Sequence, residues 1–289
     1  MPVKPAFVII ANMYQVHEDR MMYYETVSEN EEMSSHFGAI AHKYKDIRTT
    51  DREPIVYIKE RLLEMFHCRP IPVLDVGCGD GRYDKLLLEG SNETIRLTCL
   101  DSSGEMLSAL NSYLKRHGIM NFETVRSSVE EIPLEDSQFE AIISFNAFHH
   151  FSPFKFFSEA RRLLKPGGML FIYSRTPTQN RNTIWGRFFP EFVEKEVRLK
   201  TPAFVEEISA DVDFMDLVLV KFFIYKRKAS VADLIWRATN RHYSTFAFYE
   251  KNKLRSAIRK FKANLLANYE NTDEIEWIDS NVLYQVQRT

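Results

Sequence analysis

Val73-Leu74-Asp75-Val76-Gly77-Cys78-Gly79-Asp80-Gly81 is the stretch that decides the fold. A short apolar run breaks into three glycines at alternate positions, and a helical pattern from Tyr83 to Leu88 follows. Glycines in such a strand-to-helix turn let the chain bend sharply and let its backbone approach a ligand closely. The next apolar run, Ile95 to Leu100, ends at Asp101. A carboxylate about twenty residues beyond a glycine turn can accept two hydrogen bonds from a ribose diol. Nicotinamide-binding turns usually read GxGxxG, whereas this one reads D-x-G-x-G-x-G, which places dinucleotide binding second.

Outward from that turn, β-rich and helical runs alternate. Helix is expected over Glu105 to Arg116, strand over Phe122 to Val125, and a fourth strand over Phe139 to Ser144. Ser152 and Pro153 suit the start of a helix reaching Lys165, and Pro166-Gly167-Gly168 should break it before a fifth strand at Met169 to Tyr173. Such alternation implies βαβ units around a parallel sheet. On the N-terminal side, Ile55, Ile58, Leu62, Leu63 and Phe66 recur at helical spacing until Pro70.

Residues 1–52 read as an N-terminal helical arm, with Phe37, Ile40, Ala41 and Tyr44 on one face. Beyond Arg175 the alternation gives way to an aromatic and charged segment. A strand pattern at Met215 to Tyr225, helical patterns at Val231 to Thr239 and Lys253 to Asn268, and a strand at Ile275 to Val286 then follow. The expected architecture is therefore α/β: a doubly wound sheet of seven strands, with a core at 53–228, a helical lid inserted at 229–273 and the last core strand at 274–289.

The totals agree with a globular chain. It has 289 residues, 45% hydrophobic and 27% charged, and 38 Lys+Arg against 40 Asp+Glu leave a net charge of -2. No global field draws nucleic acid or an anionic membrane. Cys68, Cys78 and Cys99 form no CxxC or Cys/His spacing, so no metal site or disulfide framework is expected, and a cytoplasmic location follows. The apolar stretch from Ala6 to Met13 is too short to span a bilayer.

The D-x-G-x-G-x-G turn resembles the first motif of class I S-adenosylmethionine-dependent methyltransferases, with a type 11, UbiE-like core. Two further stretches carry the resemblance: Ser128-Val129-Glu130 with Ile132-Pro133, and Arg162-Leu163-Leu164-Lys165-Pro166-Gly167-Gly168. It covers about Pro54 to Tyr173 and implies a Rossmann-like fold with S-adenosyl-L-methionine as cofactor. It also implies roles: Asp75, Gly77, Cys78 and Gly79 around the methionine moiety, Asp101 on the ribose with Ser102 beside it, and Ser128 and Val129 flanking adenine. Ser128 stands where many relatives have Asp. Asn146 would lie where cofactor and acceptor meet.

The acceptor is less legible. No (Asp/Asn)-Pro-Pro-aromatic motif of nucleobase amino methyltransferases follows the fourth strand, which reads Asn146-Ala147-Phe148-His149-His150-Phe151. His149 or His150 can orient an acceptor or take its proton, or simply cap and pack beneath the next helix. Arg175 can grip an anionic group or be a surface cation. Trp185, Tyr44 and the stretch from His242 to Phe246 are candidates for walls of the acceptor pocket. The late layout is similar to trans-aconitate and juvenile hormone acid methyltransferases. The partner is therefore expected to be a small-molecule acceptor methylated on a carboxylate or hydroxyl oxygen, with an RNA or protein methyltransferase and a non-catalytic binding module as alternatives.

Overall fold

The computed structural model describes residues 49–289 apart from 68 and 92. Tyr44 and nearly all of the expected N-terminal arm therefore lie outside the described residues, as does Cys68. Helix α1 (Glu53–Met65) begins with Pro54 in its first turn, where the missing N–H costs nothing, and buries Ile55, Ile58 and Leu62. Strand β1 (Ile71–Val76) runs through the glycine turn into α2 (Arg82–Leu88), followed by β2 (Ile95–Asp101), α3 (Gly104–Arg116), β3 (Phe122–Arg126) and β4 (Phe139–Phe145). A 3-10 turn at Phe148–His150 leads to α4 (Pro153–Leu163) and β5 (Leu164–Ser174).

Four short helices come next: α5 (Pro177–Asn182), α6 (Ile184–Phe188), α7 (Phe192–Lys195) and α8 (Pro202–Asp211). Strand β6 (Met215–Ala229), α9 (Val231–Thr239), a 3-10 turn at Ser244–Phe248, α10 (Lys251–Asn268) and β7 (Ile275–Arg288) complete the chain. Among the described residues the sheet has seven strands in the order β3-β2-β1-β4-β5-β7-β6, parallel except for β7, which pairs antiparallel with β5 and β6.

Winding outward in both directions from β1 leaves a crevice beyond the carboxyl ends of β1 and β4, the place where open α/β sheets bind ligands. One face of the sheet packs on α1, α2 and α3 through Ile58, Leu87 and Leu110; the other packs on α4 and α8 through Phe157, Leu163 and Ile208. Covered on both faces, the central strands bury nearly every residue, so they read as continuous apolar runs. A third apolar cluster stands apart from both faces. It joins Trp185, Phe189 and Phe192 to Leu234, Phe246 and Phe261, so helices that precede β6 share one core with those inserted between β6 and β7.

One sequence expectation is corrected, and one stretch gains its elements. Pro166-Gly167-Gly168 does not interrupt the fold before β5; the strand already begins at Leu164, and the ladder steps from Phe139↔Leu164 to Ala141↔Met169. The excess residues bulge out there. Pro166 has no N–H to offer the ladder, and Gly167 takes φ 80°, which suits a bulge. The segment after Arg175, read from the sequence only as aromatic and charged, holds α5 to α8. Three of these helices are under seven residues and show no periodicity, but Thr176-Pro177 and Thr201-Pro202 are cap and first-turn pairs that mark two of the starts.

Candidate active site

The glycine turn sits on positive-φ backbone at Gly77 (75°) and Gly79 (58°). A Cβ on Gly77 would lie 2.5 Å from that of Ala147 and 3.0 Å from the Phe151 ring, so this glycine lets β1 meet the turn after β4. A Cβ on Gly79 would meet nothing within 4 Å, because that position faces an open cleft. Asp101 fixes the turn from across β2: Oδ2 accepts from the Gly79 N–H and Oδ1 from the Ser103 N–H, both at 2.9 Å. Burial raises the Asp101 carboxyl above its ordinary range, and the backbone donors of Ser103, Gly79 and Ser102 oppose that rise. Each of its oxygens keeps a lone pair for a further donor.

The cleft holds about 930 Å³ of empty space open to solvent. Gly77, Cys78, Gly79, Asp101, Ser102, Ser128, Val129 and Asn146 all line it, so eight of the nine residues proposed for the cofactor come together. The ninth, Asp75, is not among the lining residues. It is buried beneath the turn, close to the carboxyl of Asp84 on α2. Burial pushes Asp75 well above the usual carboxylate range and Asp84 up to about 7. Cys78 and Cys99 are free and buried, and burial pushes Cys78 well up and Cys99 to about 12, so both remain thiols.

A second, larger cleft of about 1340 Å³ adjoins the first, and Arg82, Tyr83, Asn146 and His150 line both. Asn146 is held at this junction in a left-handed conformation (φ 55°). Its N–H bonds to the Tyr173 carbonyl at 2.7 Å, and its amide donates to the Tyr83 hydroxyl at 3.0 Å. Tyr83 in turn stacks on Phe145, with centroids 4.4 Å apart. The second cleft brings together His149, His150, Arg175, Trp185 and the stretch His242 to Thr245. Phe246 lies behind it in the third core.

Their chemistry differs from residue to residue. Arg175 gives its guanidinium to Asp279 at 2.7 Å and Asn281 at 3.1 Å, so its charge is met within the protein. Trp185 is a core residue first: it stacks on Phe261 with centroids 5.0 Å apart and shows 3% exposure. Arg198, which sequence reasoning missed, donates to Nδ1 of His150 at 3.1 Å. A guanidinium can only donate, so Nδ1 accepts, and the neutral ring carries its proton on Nε2. Buried Glu196 holds Arg198 at 2.6 Å, and Ser244 and Thr245 tie that pair to the cover. The Glu196–Arg198 spacing carries no sequence signature. Among the described residues no cluster of His, Cys, Asp or Glu is arranged to hold a metal ion.

A sheet wound out from β1, a glycine turn at its carboxyl end and an acid closing β2 coincide here with a sequence match. Residues 74–172 match the family described as methyltransferase domain. The core is a class I S-adenosylmethionine-dependent methyltransferase domain. Its cofactor is S-adenosylmethionine, and the cleft fits it: a carboxylate with spare lone pairs for the ribose, apolar Leu100, Met106 and Val129 for the adenine, and space above Gly79 for close approach.

Over 97 residues the methyltransferase core is 39% identical to the ubiquinone/menaquinone biosynthesis C-methyltransferase UbiE of Brucella anthropi, a stretch that is 33% of this chain and 37% of that one. An uncharacterized methyltransferase of Mycobacterium bovis is 26% identical over 165 residues, 57% of this chain and 61% of its own. The chain thus spans about a third to three fifths of the length of these curated relatives. The solved structure of the YcgJ protein from Bacillus subtilis superposes with a TM-score of 0.56 at 16% identity, covering 81% of this chain and 98% of the other. Among the described residues no helix is long and apolar enough to cross a membrane.

Proposed function

We propose that the chain transfers the methyl group of S-adenosylmethionine to an oxygen of a small-molecule acceptor lodged in the second cleft. The observation that carries this reading is the junction: two clefts, one built for the cofactor, share Arg82, Tyr83, Asn146 and His150. The cofactor supplies an activated methyl on a positive sulfonium. What the protein adds is alignment and exclusion of water, and a near-attack pose is worth roughly 7–11 kcal/mol.

Asp101 holds the ribose, with Ser102 beside it; Ser128 and Val129 flank the adenine; Gly77, Cys78 and Gly79 surround the methionine end, and Asp75 supports that turn from below. Asn146, immobilised by Tyr83 and the Tyr173 carbonyl, defines the passage to the acceptor. His150 presents an N–H on Nε2 and so orients an acceptor oxygen; it is not poised to remove a proton. A carboxylate acceptor needs no base, whereas a hydroxyl would pass its proton to His149. The helices of 177–195 and 230–268 act as the cover, with Trp185 holding them together.

The test is methyl transfer from labelled cofactor to a metabolite library, with products sorted into base-labile esters and stable ethers. An oxygen-methylated product that Asp101→Ala diminishes through weaker cofactor binding, by about 1.5–3 kcal/mol, is expected. A product methylated on carbon or nitrogen, or a folded Asp101→Ala with full S-adenosylhomocysteine affinity, refutes the assignment.

A further inference from the structure

The second cleft is lined by more cations than carboxylates: Arg82, Arg175, Lys226, Arg227, Lys228 and Arg237 against Asp51, Glu196 and Asp279. Most of that charge is met locally. Arg175 pairs with Asp279 and Arg227 with Asp51, Lys226 and Lys228 pair with Glu274 and Glu276, and Glu196 pairs with Arg198. Arg237, half-buried on α9, faces the cleft with no carboxylate within ion-pair distance among the described residues. Two neutral groups on the opposite side of the chain's order are equally uncommitted. The Asn180 amide and the Ser174 hydroxyl line the cleft, belong to residues only 4% exposed, and their side chains make no hydrogen bond among the described residues.

Neither polar group is sealed from solvent, so both are reached from the cleft and can exchange water for a ligand's polar group. Flat rings also line the cleft: Tyr83, Trp185, Phe192, Tyr243 and Trp277. From this we infer that the acceptor is an aromatic or similarly flat carboxylic acid, whose carboxylate is gripped by Arg237 and whose polar substituents meet Asn180 and Ser174. The inference rests on the reading of this cleft as the acceptor site and narrows it to one chemical class. Arg237 fits because its planar fork matches a carboxylate in two parallel hydrogen bonds. The three groups come from β5, α5 and α9, so the cleft recognises its ligand only when the cover is in place.

The experiment is calorimetric titration of the full chain, saturated with S-adenosylhomocysteine, using benzoate, salicylate, phenylacetate and cinnamate, each against its own carboxamide. At least one carboxylate should bind about tenfold or more tightly than its amide, since a charge-assisted pair is lost in the amide. Arg237→Gln should erase that preference and leave S-adenosylhomocysteine affinity unchanged, while Arg237→Lys retains part of it. Equal binding of acid and amide, binding by neither, or a preference that survives Arg237→Gln overturns the inference. Carboxylate binding without methyl transfer supports this inference and sinks the proposed reaction. Methyl transfer to an uncharged acceptor with no carboxylate preference does the reverse.

Discussion

At the scale of single residues, the least expected group is Asp84. Nothing in Arg82-Tyr83-Asp84-Lys85 distinguishes this acid from a solvated helix residue, yet it is fully buried against Asp75, close to the charges of Asp80 and Asp101. Burial raises it to about 7 in the folded chain, against about 4 for an exposed carboxyl. The folded state therefore holds a proton that the unfolded state releases. Stability is greatest below about pH 4 on account of this group and is lost as the pH climbs toward 7. Asp84→Asn, neutral at every pH, should flatten that fall. Thermal unfolding between pH 5 and pH 8 checks it: the wild type should lose more of its melting temperature than the variant, and equal slopes would show that Asp84 carries no buried proton. Asp101, by contrast, was legible in its position, because strand, glycine turn and distance along the chain together place an acid at the edge of the cleft.

At the scale of elements, the turn between β1 and α2 separates two duties that its sequence leaves merged. Gly77 and Gly79 look equivalent in D-x-G-x-G-x-G, but only the first is hemmed in by Ala147 and Phe151. Gly77→Ala should thus destabilise the whole chain, by overlap and by a backbone angle that alanine resists, at a cost of about 2–4 kcal/mol. Gly79→Ala should cost only about 1–2 kcal/mol from its left-handed backbone, and should weaken cofactor binding out of proportion by filling the space above the turn. Chemical denaturation paired with S-adenosylhomocysteine titration separates the two, and matching losses of stability and affinity in both variants would contradict this division. Strands β1 to β4 and helices α2, α3 and α9 were readable to within a few residues, since apolar runs and 3.6-residue spacing are local properties. Helices α5 to α7 were not, because five-residue helices have too little length to show a period.

On the scale of the whole molecule, the cover is a core in its own right. Trp185, Phe189 and Phe192 come from before β6; Leu234, Phe246 and Phe261 come from after it, and they pack on one another more than on the sheet. No sequence pattern announces that residues so far apart share a core, which is why Arg198 and Arg237 escaped notice. Such a unit opens with its own free energy, below that of the sheet. Hydrogen exchange should show 184–192 and 231–261 exchanging together and faster than β1, β2 and β4, with S-adenosylhomocysteine slowing the glycine turn first. Exchange of these two segments at unrelated rates would refute a shared cover.

The position of β7 has a consequence for how the protein is made. A ribosome finishes β6 well before β7, with 230–274 still to come between them, yet among the described residues β6 has β7 as its only neighbour in the sheet. At about 5–20 residues per second, β6 waits roughly 3–12 seconds for β7 to be finished, with both edges bare, carrying Phe222 and Ile224. The five parallel strands can assemble during that interval; the final pair must slot in last, as a unit, and bring the cover with it. Nascent chains stalled before Ile275 should therefore bind cofactor weakly and draw chaperones to β6, and the second cleft should come into existence only as translation of β7 is completed.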